Sequence, residues 1–531
     1  MKKFIYGIAG ALLFGMYSCD TLDLSPEDYA AAGNYWKNPE QVSTYMNGLH
    51  AYLRDDYSSP LVLGELRGGT MREGTSSINT SLNSSSIIRN DLRTTSTGIS
   101  NWNNYYENIL QVNHFIEQVR DECAFLSESA RNTFLGQAYG MRAYYYFMLY
   151  RTYGAVPLEK DIKILDGKID AVSLYMKRSS AEDVLAFIKK DINDSETAFG
   201  STTSFDKYYW SKYATLFLKA QIYLWSAKVT TNDDEKPHTA TGTSDLEIAQ
   251  KALNEIIGSN KFSLMKNYAD IFDYGKKANN TESILSMYFD RGETTHWGSS
   301  FLYTPSIVVG SYYNPDGTVM QDVLQLNTAG IVRYEWKSAF IKSFDQTDSR
   351  RAATFLEYYQ DKELTKHGSS MLKLVGHVAD GIRYFDNDIV MMRYADVLLM
   401  MAEVENGLGK PCASYINEVR KRAYGENYTE DVTYTDGTYA ENELAILKER
   451  DKEFAGEGTR WFDLVRMHDA AKKPLAFSVA VAYLEPGEEA AAVLSNTEEY
   501  KLLWPINIGV MTADPEIKQT WGYNQAENIE D

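Results

Sequence analysis

The chain has 531 residues, with 53 basic and 73 acidic side chains and a formal charge of −20. That length admits two lobes or one large helical array, and the acidic balance argues against nucleic acid or an anionic membrane face as partner. The outlying count is 39 Tyr, beside 9 Trp and 21 Phe; such rings serve cores and platforms for polar ligands equally well.

Residues 1–18 read as a lipoprotein signal peptide. Lys2 and Lys3 precede an apolar run from Phe4 to Met16 that is too short to cross a bilayer. Met16-Tyr17-Ser18-Cys19 resembles a bacterial lipobox. Cleavage before Cys19 and lipidation of its thiol and new amino group are therefore expected, and several acyl chains would anchor the protein stably. The alternative is an ordinary secretory peptide with Cys19 incidental. Cys123 and Cys412 then allow at most one disulfide, and the three cysteines have no metal-type spacing.

Residues 19–531 follow, through a short polar tether at 20–28. Asn38-Pro39-Glu40 starts a helix with Val42, Tyr45, Met46 and Leu49 on one stripe. Residues 58–101, rich in Ser, Thr, Asn and Gly, read as a surface binding loop that includes Arg67 and Arg72. Four helical signals come next. Trp102, Tyr105, Ile109, Val112 and Ile116 mark the first; Phe134, Ala138, Met141, Tyr145 and Met148 mark the second, which ends at Tyr153-Gly154. Residues 181–198 form the third, and Trp210, Tyr213, Phe217, Ala220, Leu224 and Ala227 carry the fourth. Small Ala beside large Tyr suits stacked helix pairs of tetratricopeptide type, although no strict 34-residue period repeats.

Glu282–Phe289 reads as a short strand leading into a stretch, 291–373, dominated by Tyr, Gly, Ser, Pro and Asn. Helices return over 388–408, 411–422 and beyond residue 440, in a C-terminal helical part spanning 374–531. Its densest pattern is Leu447 to Arg466. Glu449, Glu453 and Glu457 form a row, Gly456 and Gly458 stop the helix, and Arg460, Asp463 and Arg466 repeat at spacing three on a second one. Acids in a row could serve as general acid and base, but arginines interleaved with them favour a polar clamp between helices. Arg393 and Asp396 read as scaffold in the same way.

Familiar chemistry is absent from the sequence. No histidine has another four residues away, and there is no phosphate-cradling loop, dinucleotide fingerprint or Gly-x-Ser-x-Gly elbow. Asn314-Pro-Asp316-Gly317 and Asp386-Asn-Asp388 could touch calcium, yet neither completes a calcium loop, so no cofactor is expected.

Several separated segments, in order, resemble the SusD/RagB family of outer-membrane nutrient-binding lipoproteins. They are Cys19 with Leu22 to Glu27, Trp102 to Ile109 with Asn113, Gln137 to Phe147 with Tyr153 to Leu158, and Met392 to Glu403. Ile416 to Ala423, Glu449 to Arg466, and Leu503 to Ile506 with Gly522-Tyr523 complete the set. Gly140 stands where the family tends to have a larger residue, and Trp504 where a smaller one is common.

The resemblance implies a mainly α fold, a tetratricopeptide-like scaffold of helix pairs with a loop-rich ligand-binding part and few short strands. It implies a cell-surface lipoprotein without catalysis that captures oligosaccharides, or in the RagB branch peptides, for a SusC-like TonB-dependent transporter. Ligand residues are not carried by the family's motifs. Sugars present apolar C–H faces and a rim of hydroxyls, which call for exposed rings beside Arg, Asp or Asn. On that ground Trp297, Tyr303, Tyr312, Tyr313 and Trp336 are expected to form a platform, with Arg67 and Arg72 as donors. An enzyme of glycan breakdown would instead need a carboxylate pair in this region, for which Glu293 and Glu335 are the candidates. The negative charge mildly disfavours strongly anionic polysaccharides unless local basic loops override it.

Overall fold

The structure is a computed structural model and describes residues 35–73, 84–160, 162 and 170–526. The signal peptide and the lipidation site Cys19 lie outside the described residues. Helix α1 (Pro39–Asp55) starts as its sequence dictates: Pro39 occupies the first turn and the Asn38 side chain accepts from the amide of Gln41. After α2 (Ser59–Gly64) come α3 (Asn103–Asp121), α4 (Glu128–Tyr153), α5 (Ala181–Phe199) and α6 (Lys212–Lys228). Serine side chains at 127, 180 and 211 cap α4, α5 and α6. A further helix, α7 (Thr243–Gly258), was not expected from the periodicity; Gly242 stands at its cap position and no side chain caps it.

α3 packs on α1, and each helix from α4 to α7 packs on its predecessor, which is the layered pairing expected of a tetratricopeptide-like scaffold. Close approach has a specific cause. A Cβ on Gly140 would lie 2.1 Å from Nε1 of Trp210, so glycine there admits the indole against α4. Arg142 of α4 reaches Asp191 of α5 with two hydrogen bonds of 2.7 and 2.8 Å and donates to Asn113 of α3 at 2.8 Å. This ties three helices through residues two of which lie in the family segments.

The described strands form four two-stranded antiparallel ribbons. They are β1 (Met71–Glu73) with β3 (Tyr334–Trp336), β2 (Ser283–Met287) with β8 (Ile389–Arg393), β4 (Phe355–Tyr359) with β5 (His367–Met371), and β6 (His377–Ala379) with β7 (Ile382–Tyr384). β8 replaces the first turn of the helix expected from residue 388, and α8 (Tyr394–Gly407) begins only after it. Ile389, Val390 and Met391 are apolar and suit a strand as well as a helix; pairing with β2 decides for the strand. α9 (Ala413–Tyr424), α10 (Tyr439–Glu453) and α11 (Arg460–Arg466) complete the C-terminal part, α8 packing on α7, α9 and α10.

The stretch around Glu449 is a clamp, though wired differently from the expectation. Gly456 and Gly458 do end α10, with φ of +77° and +78°. The cations that meet the glutamates come from elsewhere in the chain. Arg393 reaches Glu453 at 2.6 Å, Glu457 at 2.7 Å and Glu282 at 2.7 Å; Arg350 reaches Glu449 at 2.7 Å, and Lys373 meets Glu457 at 2.6 Å. The interleaved arginines face other acids: Arg450 pairs with Asp396 and Asp463, Arg460 with Asp451, and Arg466 with Glu403 and Asp463. Burial pushes the Glu453 carboxyl up, but Arg422, Arg393 and Arg350 outweigh it and hold the carboxyl well below its ordinary range. Arg393 and Asp396 thus bind the scaffold through separate partners.

Residues 58–73 are not a surface loop. Leu61, Leu63, Leu66 and Met71 are core residues, because glycines let this segment lie on the turn before α11. A Cβ on Gly64 would come within 1.8 Å of the Gly458 carbonyl oxygen, and one on Gly68 within 2.6 Å of Arg460 Cγ. Cys123 and Cys412 are both buried free thiols.

Candidate functional site

β3 sorts the expected platform residues. Its neighbouring side chains alternate in direction: Tyr334 and Trp336 turn to Phe301, at ring distances of 5.5 and 6.0 Å, while Glu335 faces the other way, paired in register with Arg72. Trp336 and Tyr303 are fully buried. Trp336 packs on Phe301 and Phe355, and the Tyr303 hydroxyl donates to Asp322 at 2.6 Å. Neither ring offers a face to a ligand, which corrects the expectation for both. Arg67 is corrected likewise. Its guanidinium is enclosed 3.9 Å over the Trp461 ring and 5.1 Å over that of Trp504, and it donates to Asn90 Oδ1 at 2.7 Å and to the Lys501 carbonyl. Helix-like stripes and loop composition do not reveal this cage; it exists only once α11 and the C-terminal tail meet.

Trp297 is half-buried against Phe301 and Tyr334, with its backbone amide donating to the Tyr57 hydroxyl at 2.9 Å. It lines a cavity of about 80 Å³, below the few hundred Å³ that bound small molecules occupy.

On the Glu335 side, three of the expected residues do come together. Arg72 lies 3.6 Å from Glu335 and donates to the His367 carbonyl. His367 is the register partner of Tyr359, and Tyr359 exchanges two backbone hydrogen bonds of 2.8 Å with Tyr313. Tyr312 packs on Tyr358, with ring centroids 6.0 Å apart, and the Tyr358 hydroxyl donates to Glu335 at 3.0 Å. Arg72, Tyr312, Tyr313 and Tyr359 are thus half-exposed around a fixed polar floor, Tyr312 with Tyr358 and Tyr313 beside Tyr359. Part of that floor is Glu357, which accepts from His367 at 3.0 Å and from Arg351 at 2.8 Å. Burial raises its carboxyl, but these two donors bring it down to about 2. The face combines ring surface, hydroxyls and one guanidinium, the chemistry a polar, ring-bearing ligand needs.

The two carboxylates considered for catalysis do not form a pair. Glu335 is buried under Arg72 and Tyr358, whereas Glu293 is partly exposed and ion-paired with Arg54. The acidic turns are internally engaged: Asp316 accepts from Thr318, Asp386 from His377 and the Arg291 amide, and Asp388 from Tyr208 and the Phe289 amide.

Sequence reading missed a second concave region. Ser100, Asn101 and Trp102 separate two clefts of about 540 and about 330 Å³. Asn101, Asn103 and Asn104 are exposed there, and the Tyr106 hydroxyl donates to the Pro157 carbonyl at 2.8 Å. The available signal was the run of asparagines beside Trp102, which the helical stripe concealed.

Residues 365–523 match the SusD family, and residues 22–224 match a family described as starch-binding and associating with the outer membrane. A SusD superfamily protein of known crystal structure from Bacteroides fragilis is 35% identical, with a TM-score of 0.82, covering 92% of this chain and 100% of that one. SusD-like protein P38 of Formosa agariphila is 25% identical over 530 residues, 95% of this chain and 96% of that protein. The same fold occurs in a laminarin-binding SusD-like protein, 20% identical with a TM-score of 0.67, covering 92% of this chain and 100% of that one. The chain thus shares its fold with a relative in which over a third of the residues are identical, and this chain belongs to the SusD family.

Proposed function

We propose that this protein is a non-catalytic, cell-surface glycan-binding lipoprotein. It is anchored through Cys19 in the outer membrane and delivers oligosaccharides to a SusC-like TonB-dependent transporter. The observation that carries the glycan reading is the half-exposed face of Arg72, Tyr312, Tyr313 and Tyr359. Tyrosine rings cover the C–H faces of a pyranose while the guanidinium and hydroxyls meet its rim. The laminarin-binding relative of the same fold and the description of the N-terminal family match agree with this reading. Support for the anchor is the Lys2-Lys3 start, the apolar run and the lipobox-like Cys19.

The test is titration of the chain lacking residues 1–19 with panels of neutral oligosaccharides and of peptides, repeated for the Tyr312→Ala/Tyr313→Ala variant. Saturable glycan binding that the double substitution weakens about tenfold, the loss of one or two ring contacts, supports the face. Binding of peptides alone would move the protein to the peptide-capturing branch. New reducing ends during incubation would make it an enzyme. Delivery is tested by co-purification with the barrel from detergent-solubilised outer membranes.

A further inference from the structure

A cavity of about 590 Å³, formed by none of the residues of the Arg72 face, lies where the end of α6, the start of α7 and the 468–474 turn converge. Its walls are mixed. Leu246, Val465, Phe477 and Leu502 are apolar, and Lys472 and Lys473 enter from the turn. That turn is stiff: Asp469 accepts from the amides of Ala471 and Lys473, at 2.8 and 2.9 Å, and Lys472 is held in the left-handed region at φ +61°. Its ammonium sits 3.1 Å from the centre of the Tyr439 ring and has no carboxylate partner among the described residues.

The acids behind the wall are already taken. Glu403 and Glu443 meet Lys228 at 2.7 and 2.6 Å, and Glu403 also meets Arg466. Glu499, at the rim, is the remaining lining carboxylate. Gly242 and Thr243 bring the α7 N-terminus into the lining; no side chain caps it, and Asp245 in its first turn is buried and engaged by Lys189 and Thr241. Such a terminus favours negative charge. His468 lines the same space as a neutral ring, burial lowering it to about 3.

The geometry points to a binding site for a ring-sized organic carboxylate, its charge between Lys472 and the α7 N-terminus and its ring against Leu246, Val465 and Phe477. The volume fits one such guest, and an anion supplies a charge partner to Lys472, which is exposed and ion-paired to no carboxylate among the described residues. The site does not depend on whether the Arg72 face binds glycan.

The test is calorimetric titration of the chain lacking residues 1–19 with benzoate and D-glucuronate, with benzamide and D-glucose as uncharged counterparts. At least one acid is expected to bind saturably and its uncharged counterpart not. Lys472→Asn keeps a residue that tolerates the left-handed backbone and should weaken binding about tenfold, as expected for loss of a charge-assisted contact. Glu499→Gln should strengthen it, and Tyr313→Ala should leave it unchanged. Absence of saturable binding by both acids overturns the inference, as does binding that neither Lys472→Asn nor Glu499→Gln alters.

Discussion

Replacing Arg67 separates a ligand donor from a core brace. In Arg67→Ala the space between Trp461 and Trp504 opens, and Asn90 and the Lys501 carbonyl lose a donor. Truncating a large buried side chain costs about 2–5 kcal/mol, and stranding acceptors adds about 1–3 kcal/mol. Against this stands the relief of a buried charge. Burial lowers the Arg67 guanidinium from 12.5 to about 9, a penalty on the charged form of roughly 4–5 kcal/mol at about 1.4 per unit. At the midpoints of these ranges the net loss is about 1 kcal/mol. Arg67→Met keeps the stem in the Trp cage and removes the charge, so it should stay within about 1 kcal/mol of the parent. For 531 residues, an unfolding entropy near 2.1 cal/mol/K per residue makes about 1 kcal/mol equal to about 1 °C. Thermal unfolding should therefore show Tm lowered by about 1 °C for Ala and within about 1 °C of the parent for Met. Glycan affinity should be unchanged in both. A Met variant with parental Tm but abolished glycan binding would refute the reasoning and return Arg67 to the ligand site.

Other substitutions probe the clamp and the turns. Arg393→Ala leaves Glu282, Glu453 and Glu457 short of a shared cation, and should cost about 3–5 kcal/mol in urea unfolding; a loss below about 1 kcal/mol would show the acids to be satisfied without it. Gly458→Ala places a Cβ 2.4 Å from the Pro60 carbonyl oxygen at φ +78°. It should lower stability by about 2–4 kcal/mol, and an unchanged midpoint would mean that α2 does not lie on this turn. Glu65 tests the pH response. Burial pushes its carboxyl up to about 7 from 4.5, so the folded chain keeps a proton that the unfolded chain releases. Its contribution is full below pH 4.5 and is lost as pH rises through 7, and Glu65→Gln should remove about 3 kcal/mol of that decline. Urea midpoints of parent and variant at pH 4.5 and 7.5 decide it; equal shifts would mean that Glu65 is ionised throughout.

The scaffold was legible because its determinants are local. The helices lie where apolar stripes repeat at three and four, and Gly456 and Gly458 mark the end of α10. β8 was misread because Ile389, Val390 and Met391 satisfy either period until β2 pairs with them. α7 lacks the capping side chain that announces its neighbours. The ligand face was only partly legible. Arg72, Tyr312 and Tyr313 stay half-exposed, whereas Tyr303, Trp336 and Arg67 have the same local composition and end in the core.

What the sequence alone determined is the class of architecture, the order of its main helices and the segments that place the chain beside its relatives. Those depend on capping, periodicity and short-range patterning, which act within a few residues. The tertiary structure decided which aromatic rings stay open and which acid meets which arginine. Exposure of Tyr313 and burial of Trp336 follow from contacts with residues far away in the chain. The same holds for the glutamates of α10, whose cations arrive from Arg350, Lys373 and Arg393. Burial and charge pairing are properties of assembled surfaces, and no window of sequence contains both sides of them.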